Sequence, residues 1–218
     1  MKKNFQDDDR EKAMRTLFKL QKDEKEGRAG IDAFLEFEGM NLAFELKTTS
    51  NGSVTTVRDF GPDHIKKWKD KHWLIGFHIG QEEYYKYLSP KMMNAWIKEK
   101  EEYIRPDFEL SNLVSSKLTL NDLYRILEKK ETYSLQDAKS IQKKQYNKEK
   151  YLKLQDRKDG YSKNTMLNIL KDRATYLMQR GSTLNNPHIP FTYFKDIDKI
   201  TENHSQELRK QVSKALLN

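Results

Sequence analysis

The spacing of apolar positions changes period along the chain. From Asp7 to about Lys25, Ala13, Met14, Leu17, Phe18 and Leu20 recur at helical intervals, and Asp7, Asp8 and Asp9 sit where a helix dipole favours negative charge. Gly27 and Gly30 break this helix. Strands follow: Ile31 to Phe37, a turn over Glu38 to Asn41, then Leu42 to Thr48, together predicting a hairpin. Asn51-Gly52 marks a further turn, and Ser53 to Arg58 is β-branched and extended. A short helix opens at Gly61-Pro62-Asp63 and runs to about Asp70. Trp73 to Ile79 has the unbroken apolar character of a buried strand. Ser89-Pro90 opens another helix, which Arg105-Pro106 is expected to end.

Beyond Pro106 the pattern is helical. Thr119-Leu-Asn-Asp122 and Ser134-Leu-Gln-Asp137 carry the hydroxyl-x-x-acid signature of a helix start. Ser162 opens a helix to Arg180, with Leu167, Leu170, Ala174, Leu177 and Met178 on one face and Gly181 as its stop. Ser182 to Pro190 is a loop, docked by Phe191, Tyr193 and Phe194, and a weak helix covers about Glu202 to Leu217. The pattern predicts an α/β fold, a mixed central sheet flanked by helices over 1–106, followed by a helical part over 107–218.

Composition sharpens this division. Hydrophobic residues are 36% and charged residues 34%, but aromatics reach 11%, so a small aromatic-rich core lies under a charged surface. Residues 1–106 hold 20 Lys+Arg against 19 Asp+Glu, whereas 107–218 hold 21 against 14. Residues 117–180 alone, with 16 against 8, equal the whole excess of +8. A near-neutral part joined to a basic part suggests chemistry in one and a polyanion on the other. The absence of cysteine excludes disulfides, a thiol nucleophile and thiolate metal sites, and fits a cytoplasmic protein. No leader-like apolar run follows Lys2 and Lys3, and nothing approaches the roughly 18 apolar residues of a membrane span, so no membrane partner is expected.

The chemistry concentrates in Gly30 to Ser50, GIDAFLEFEGMNLAFELKTTS. Alternation along the second strand puts Glu45 and Lys47 on one face and Phe44 and Leu46 on the other, and a tight hairpin brings Asp32 to that pair. Two converging carboxylates make a hard-oxygen site that suits Mg²⁺, which takes one or two carboxylates and fills its octahedron with water and phosphate oxygens. A lysine two residues beyond the second carboxylate can orient or help deprotonate a water and stabilise a phosphorane-like transition state.

Asp32 followed by Glu45-x-Lys47, between a preceding helix and a following short helix and buried strand, resembles the PD-(D/E)XK nuclease superfamily, and within it the type II restriction endonucleases. The resemblance covers roughly Met1 to Tyr103. It implies Mg²⁺-dependent hydrolysis of DNA phosphodiesters, with Asp32 and Glu45 as metal ligands and Lys47 as catalytic lysine. One position departs from the pattern: Ile31 stands where the family often has proline. Such families often add an acid from the first helix, here Glu11, with Glu24 and Glu26 less well placed. The implied protein is a type II restriction endonuclease acting on double-stranded DNA as a homodimer. Residues 1–106 would be its catalytic core and 107–218 its recognition and dimerisation part. The alternatives are a repair, recombination or nicking nuclease on the same core, and a DNA-binding protein whose acidic cluster is structural.

Candidate DNA contacts lie further along. Arg58 and Thr56 follow the catalytic strands closely enough to touch a phosphate. In the run Lys139 to Lys158, Lys143, Lys144, Lys148 and Lys150 would hold the backbone, and Gln142 and Gln145 would read base edges. Ser162, Lys163 and Asn164 begin a helix, and Asn185 and Asn186 offer amides to adenine. His64 and His72, around the lysine-rich stretch near Trp68, are expected to be packing residues.

Overall fold

A computed structural model describes residues 6–22, 31–57, 60–182 and 187–217. In chain order these form α1 (Gln6–Phe18), β1 (Ala33–Phe37), β2 (Met40–Thr49), β3 (Val54–Thr55), α2 (Pro62–Trp68), β4 (His72–Ile79), β5 (Glu82–Leu88) and α3 (Pro90–Ser116). Next come α4 (Leu120–Ile126), β6 (Tyr133–Ser134), α5 (Leu135–Gln142), α6 (Lys148–Lys153), β7 (Gly160–Tyr161) and α7 (Lys163–Ser182). The chain closes with β8 (His188–Ile189), a 3-10 turn (Phe191–Phe194), β9 (Lys199–Ile200) and α8 (His204–Leu216). Contacts divide it into two units, residues 1–102 with 184–218, and residues 103–183.

The first unit is α/β. Its five-stranded sheet has the order β1-β2-β4-β5-β9, with β2 and β4 parallel and the other pairs antiparallel. Alternation decides what each face carries. Phe44 and Leu46 of β2, with Leu74 of β4, join Met14 and Phe18 of α1 and Leu208 and Val212 of α8 in one apolar cluster. On the opposite face Trp73 of β4 meets Trp68 of α2 at 5.1 Å and Trp96 of α3 at 6.4 Å between ring centroids. Burying these rings supplies much of the packing in a chain with few aliphatics. Glu45 and Lys47 lie on this second face, because Glu45 registers with Trp73 and Lys47 with Ile75.

Three features differ from the expected pattern. β5 is a full strand: Gly80, at φ +63°, turns the chain back from β4, and Tyr84 to Leu88 are all buried. Helix α3 runs through Pro106 instead of ending there. Proline's φ suits a helix and costs it one backbone hydrogen bond, and the following turns are anchored on α7, where Thr175 donates to Ser115 (2.6 Å) and Gln179 to Ser111 (3.1 Å). Finally, 107–218 is not one part. β9 pairs with β5, and Leu208 and Val212, four residues apart on α8, cover the α1 cluster, so the C-terminal residues belong to the first unit.

The second unit is helical, around Leu123, Tyr133, Ala138, Ile141, Tyr151, Tyr161, Met166 and Ile169. Its helices start at Thr119, Ser134, Asn147 and Ser162, polar side chains that suit a cap position. β6 and β7 pair so closely at Gly160 that a Cβ there would lie 2.5 Å from the Tyr133 carbonyl oxygen. Drawn on the structural division, residues 103–183 hold 17 basic and 10 acidic groups and the remainder 24 and 23, so the positive excess is a property of the second unit.

Candidate active site

The β1–β2 hairpin sets the site. Ala33 registers with Phe44, so Asp32 emerges beside Glu45, and its Oδ2 accepts a hydrogen bond from the Leu46 backbone N–H at 3.0 Å. Lys47 Nζ donates to Glu45 Oε1 at 2.8 Å and to the Leu46 carbonyl at 3.0 Å, and stands 3.7 Å from Asp32 Oδ2. The two carboxylates thus converge on one cationic position, held by the Lys47 ammonium. Glu45 is almost wholly buried, whereas Asp32 and Lys47 keep partial access to solvent.

A second lysine, which the hairpin motif gives no reason to single out, completes the group. Lys71, in the turn between α2 and β4, donates to Glu45 Oε2 at 2.7 Å and is only 3% exposed. Burial pushes the Glu45 carboxyl up, but the ammonium groups of Lys47 and Lys71 outweigh it and hold the group at about 2. For Lys47, burial favours the neutral amine, yet the charges of Glu45, Asp32 and Glu11 move its pKa above the ordinary value. Lys47 is therefore an ammonium at neutral pH, a donor and a source of positive field rather than a base.

The site opens on a polar cleft of about 510 Å³ lined by Glu11, Lys47, Thr49, Asn51, Thr55 and Thr56, among others. Thr49 fixes the turn after β2 by donating to the Ser53 carbonyl at 2.8 Å. Thr56 is buried and donates to the Pro187 carbonyl at 2.7 Å, which makes it a packing residue. β8 pairs with β3, bringing His188 Nδ1 within 3.2 Å of Thr55 Oγ1 at this wall. Glu11, 3.8 Å from Arg15, lines the same cleft wall as Lys47, on which its charge acts. Among the described residues no three His, Cys, Asp or Glu side chains come together as a ready metal cage.

The donor chemistry still fits a hard divalent ion. Asp32 and Glu45 offer oxygens to one point, and a two-carboxylate site suits Mg²⁺, which retains waters. Two lysines balance the two carboxylates, so the group is neutral, and binding an ion there requires Lys47 to yield its place on Glu45.

The remaining candidates separate by burial. Lys143, Lys144, Gln145, Lys148, Lys163 and Asn164 are exposed on the second unit. Lys150 is half exposed, 3.7 Å from Asp172 and 3.8 Å from the Tyr146 ring centroid. The run Lys139 to Lys158 is not one helix: α5 ends where Lys143 and Lys144 take left-handed conformations, at φ 48° and 61°. Gln142 does not face solvent. It is 2% exposed and donates to the Ile169 carbonyl at 2.7 Å, tying α5 to α7, so it reads no base. Ser162 is likewise committed: its hydroxyl donates to Asp156 and accepts from the Thr165 N–H as the cap of α7. Arg58, Asn185, Asn186, Glu24 and Glu26 lie outside the described residues.

His64 accepts from the Gly61 N–H at the start of α2, and His72 is buried with Nδ1 2.6 Å from the Tyr87 hydroxyl. Burial pulls His72 down to about 4, against a usual 6.5. The unfolded chain therefore takes up a proton near pH 6.5 that the folded protein refuses until about 4, and stability falls as pH drops through that window. The expected loss is about 3 kcal/mol, most of it visible between urea titrations at about pH 7 and about pH 4.5, and a His72→Phe variant should flatten it. The Glu45 contribution, by contrast, goes only between 4.5 and about 2.

Among the described residues no helix is long and apolar enough to cross a membrane. No protein-family model matches the sequence, and no curated protein matches it either.

Proposed function

We propose that this protein is a Mg²⁺-dependent endonuclease of double-stranded DNA, of the type II restriction kind. The observation that carries this reading is the convergence of Asp32, Glu45 and Lys47 on one point at the edge of an open polar cleft. In this reading Asp32 and Glu45 hold the ion, which when bound supplies Lewis acidity and a water of lowered pKa. Lys47 moves from Glu45 to the attacked phosphate, where its ammonium orients the water and stabilises charge on the non-bridging oxygens. Lys71 keeps Glu45 paired after Lys47 leaves. Because the protein's own charges cancel in the site, the DNA phosphate supplies the negative charge that favours a divalent ion, and ion and DNA should bind cooperatively. A homodimer would present two such sites to the two strands of a palindromic target.

Supercoiled plasmid incubated with Mg²⁺ tests the proposal. Discrete linear fragments, abolished by EDTA and by Asp32→Ala, are the expected result. Open circles alone, or a smear, would favour a nicking or repair nuclease. One observation favours a non-catalytic DNA-binding protein: both Glu45 oxygens already carry an ammonium, as in a structural ion cluster. Mg²⁺-independent binding with no cleavage of any substrate would decide for that reading.

The second unit is proposed to hold the phosphate backbone, with Gln145, Lys163 and Asn164 as exposed candidates for base and backbone contact. Substituting Lys143, Lys144 and Lys148 together by Gln should weaken binding to all sequences. The slope of log affinity against log salt should fall by about 0.9 for each phosphate no longer neutralised, without reordering preferred sites. Fluorescence anisotropy across a salt series reads this, and an unchanged slope would place the DNA elsewhere.

A further inference from the structure

The first unit contains a second cavity, remote in sequence from the hairpin site. It is a half-open hollow of about 700 Å³ between β5, the 3-10 turn and β9, and its lining includes Tyr84, Lys86, Phe191, Phe194, Lys195 and Lys199. Small-molecule sites span about 300–1,000 Å³, so a mononucleotide-sized body fits.

Its floor holds a buried charge. Lys86 is only 5% exposed, and its Nζ donates to the carbonyls of Phe194 and Ile197, both at 2.6 Å. Carbonyls solvate an ammonium but do not neutralise it. Burial and the neighbouring Lys199 ammonium pull Lys86 below its ordinary pKa, with Asp198 and Asp196 acting the other way from a distance, and among the described residues no carboxylate comes within ion-pair range of it. A buried cation without a paired counter-charge is costly, and the two carbonyls take two of its three N–H donors, which leaves one for an anion. Lys199 stands at the mouth, 4.0 Å from the Tyr84 ring centroid, its pairing with Glu82 at 3.6 Å exposed and therefore weak. Lys195 is exposed beside it.

The walls add flat aromatic surface. Tyr84 is buried, its ring stacked on Phe77 at 4.9 Å with Lys199 Nζ 4.0 Å from its centroid, so it backs the wall, and the bare ring is that of Phe191. Phe191 is half exposed, although its ring packs edgewise on Phe77 at 6.1 Å and lies against Gly52, where a Cβ would come within 3.0 Å of it. A ring anchored on one side and bare on the other is a stacking platform.

We propose that this cavity binds a nucleotide, with the base against Phe191 and the phosphate between the ammonium groups of Lys86 and Lys199. The same chemistry serves a free mononucleotide or one unit of a nucleic-acid strand. The inference is independent of the nuclease reading, since binding is measured without metal and without cleavage.

Calorimetric titration of the full-length protein in EDTA with deoxyadenosine monophosphate is the test. Saturable one-to-one binding is expected, weakened about ten-fold or more by Phe191→Ala and by Lys199→Ala. Adenosine and inorganic phosphate should each bind more weakly than the nucleotide. If the mononucleotide gives no heat but a five-residue oligodeoxyadenylate binds and loses about ten-fold with the same two variants, the source is a strand. Lys199 is exposed, and Phe191, which also packs on Phe77 and Gly52, is read with a melting curve that separates lost binding from lost packing. Lys86→Met removes the tie between Phe194 and Ile197, so it is read only alongside a melting curve. Absence of binding by both probes, or binding indifferent to Phe191→Ala and Lys199→Ala, overturns the proposal.

Discussion

Lys47→Ala is expected to lower plasmid cleavage by a factor of about 10² to 10³ or more while leaving DNA affinity nearly unchanged. The magnitude follows from where the ammonium acts. Its charge is held between Glu45 and Asp32 in the resting protein and, in the proposed reaction, is transferred to the phosphate as charge develops there. An interaction strengthened only in the transition state affects the rate and not the binding. The fold should survive, because Glu45 keeps its partner Lys71 at 2.7 Å. The variant's melting temperature therefore separates loss of chemistry from loss of structure. Gel shifts in Ca²⁺, which supports binding without efficient water activation, measure the affinity. Near-normal cleavage by a well-folded Lys47→Ala protein would remove this residue from the mechanism and with it the main support for the proposed site.

Lys71→Met should cost the first unit a large share of its stability. The Lys71–Glu45 pair is about 4% exposed on both sides, and removing one member of a buried pair typically costs about 3–5 kcal/mol. Lys47 remains on the other oxygen, so the lower figure applies, and a loss of about 3 kcal/mol corresponds to a fall in melting temperature of about 6–12 °C. The single Glu45→Gln variant leaves Lys71 an amide oxygen to bind and should cost less. The double variant should be more stable than the sum of the two losses predicts, by about 1 kcal/mol or more, because each single change strands the other partner. Chemical denaturation followed by tryptophan fluorescence checks the cycle, since Trp68 and Trp73 are buried in this unit. A Lys71→Met protein that melts within about 2 °C of the parent would show that Glu45 does not depend on this lysine.

The hairpin from Asp32 to Lys47 was legible in the sequence because its determinants are local. Period-two alternation assigns Glu45 and Lys47 to one face, and a tight turn leaves no choice about which residue faces Asp32. The capped helix starts at Thr119 and Ser134 were legible for the same reason, since a cap and its partner lie three residues apart. Lys71 was not, because it reaches Glu45 only through the parallel pairing of β2 with β4, across an intervening helix, and looks in sequence like one more lysine in a charged stretch. Gln142 misleads on similar grounds: its neighbours are polar, and only the docking of α5 on α7 turns it inward to the Ile169 carbonyl. The return of β9 and α8 to the first unit is the furthest from local signals. Lys199-Ile200 carries almost no strand pattern of its own, and it becomes a strand because β5 presents an open edge whose backbone groups need partners. Period and capping chemistry act within a few residues and can be read along a chain. Which faces meet, and hence which charges are buried together, is settled by burial of apolar surface across the whole unit, a quantity no single stretch of sequence contains.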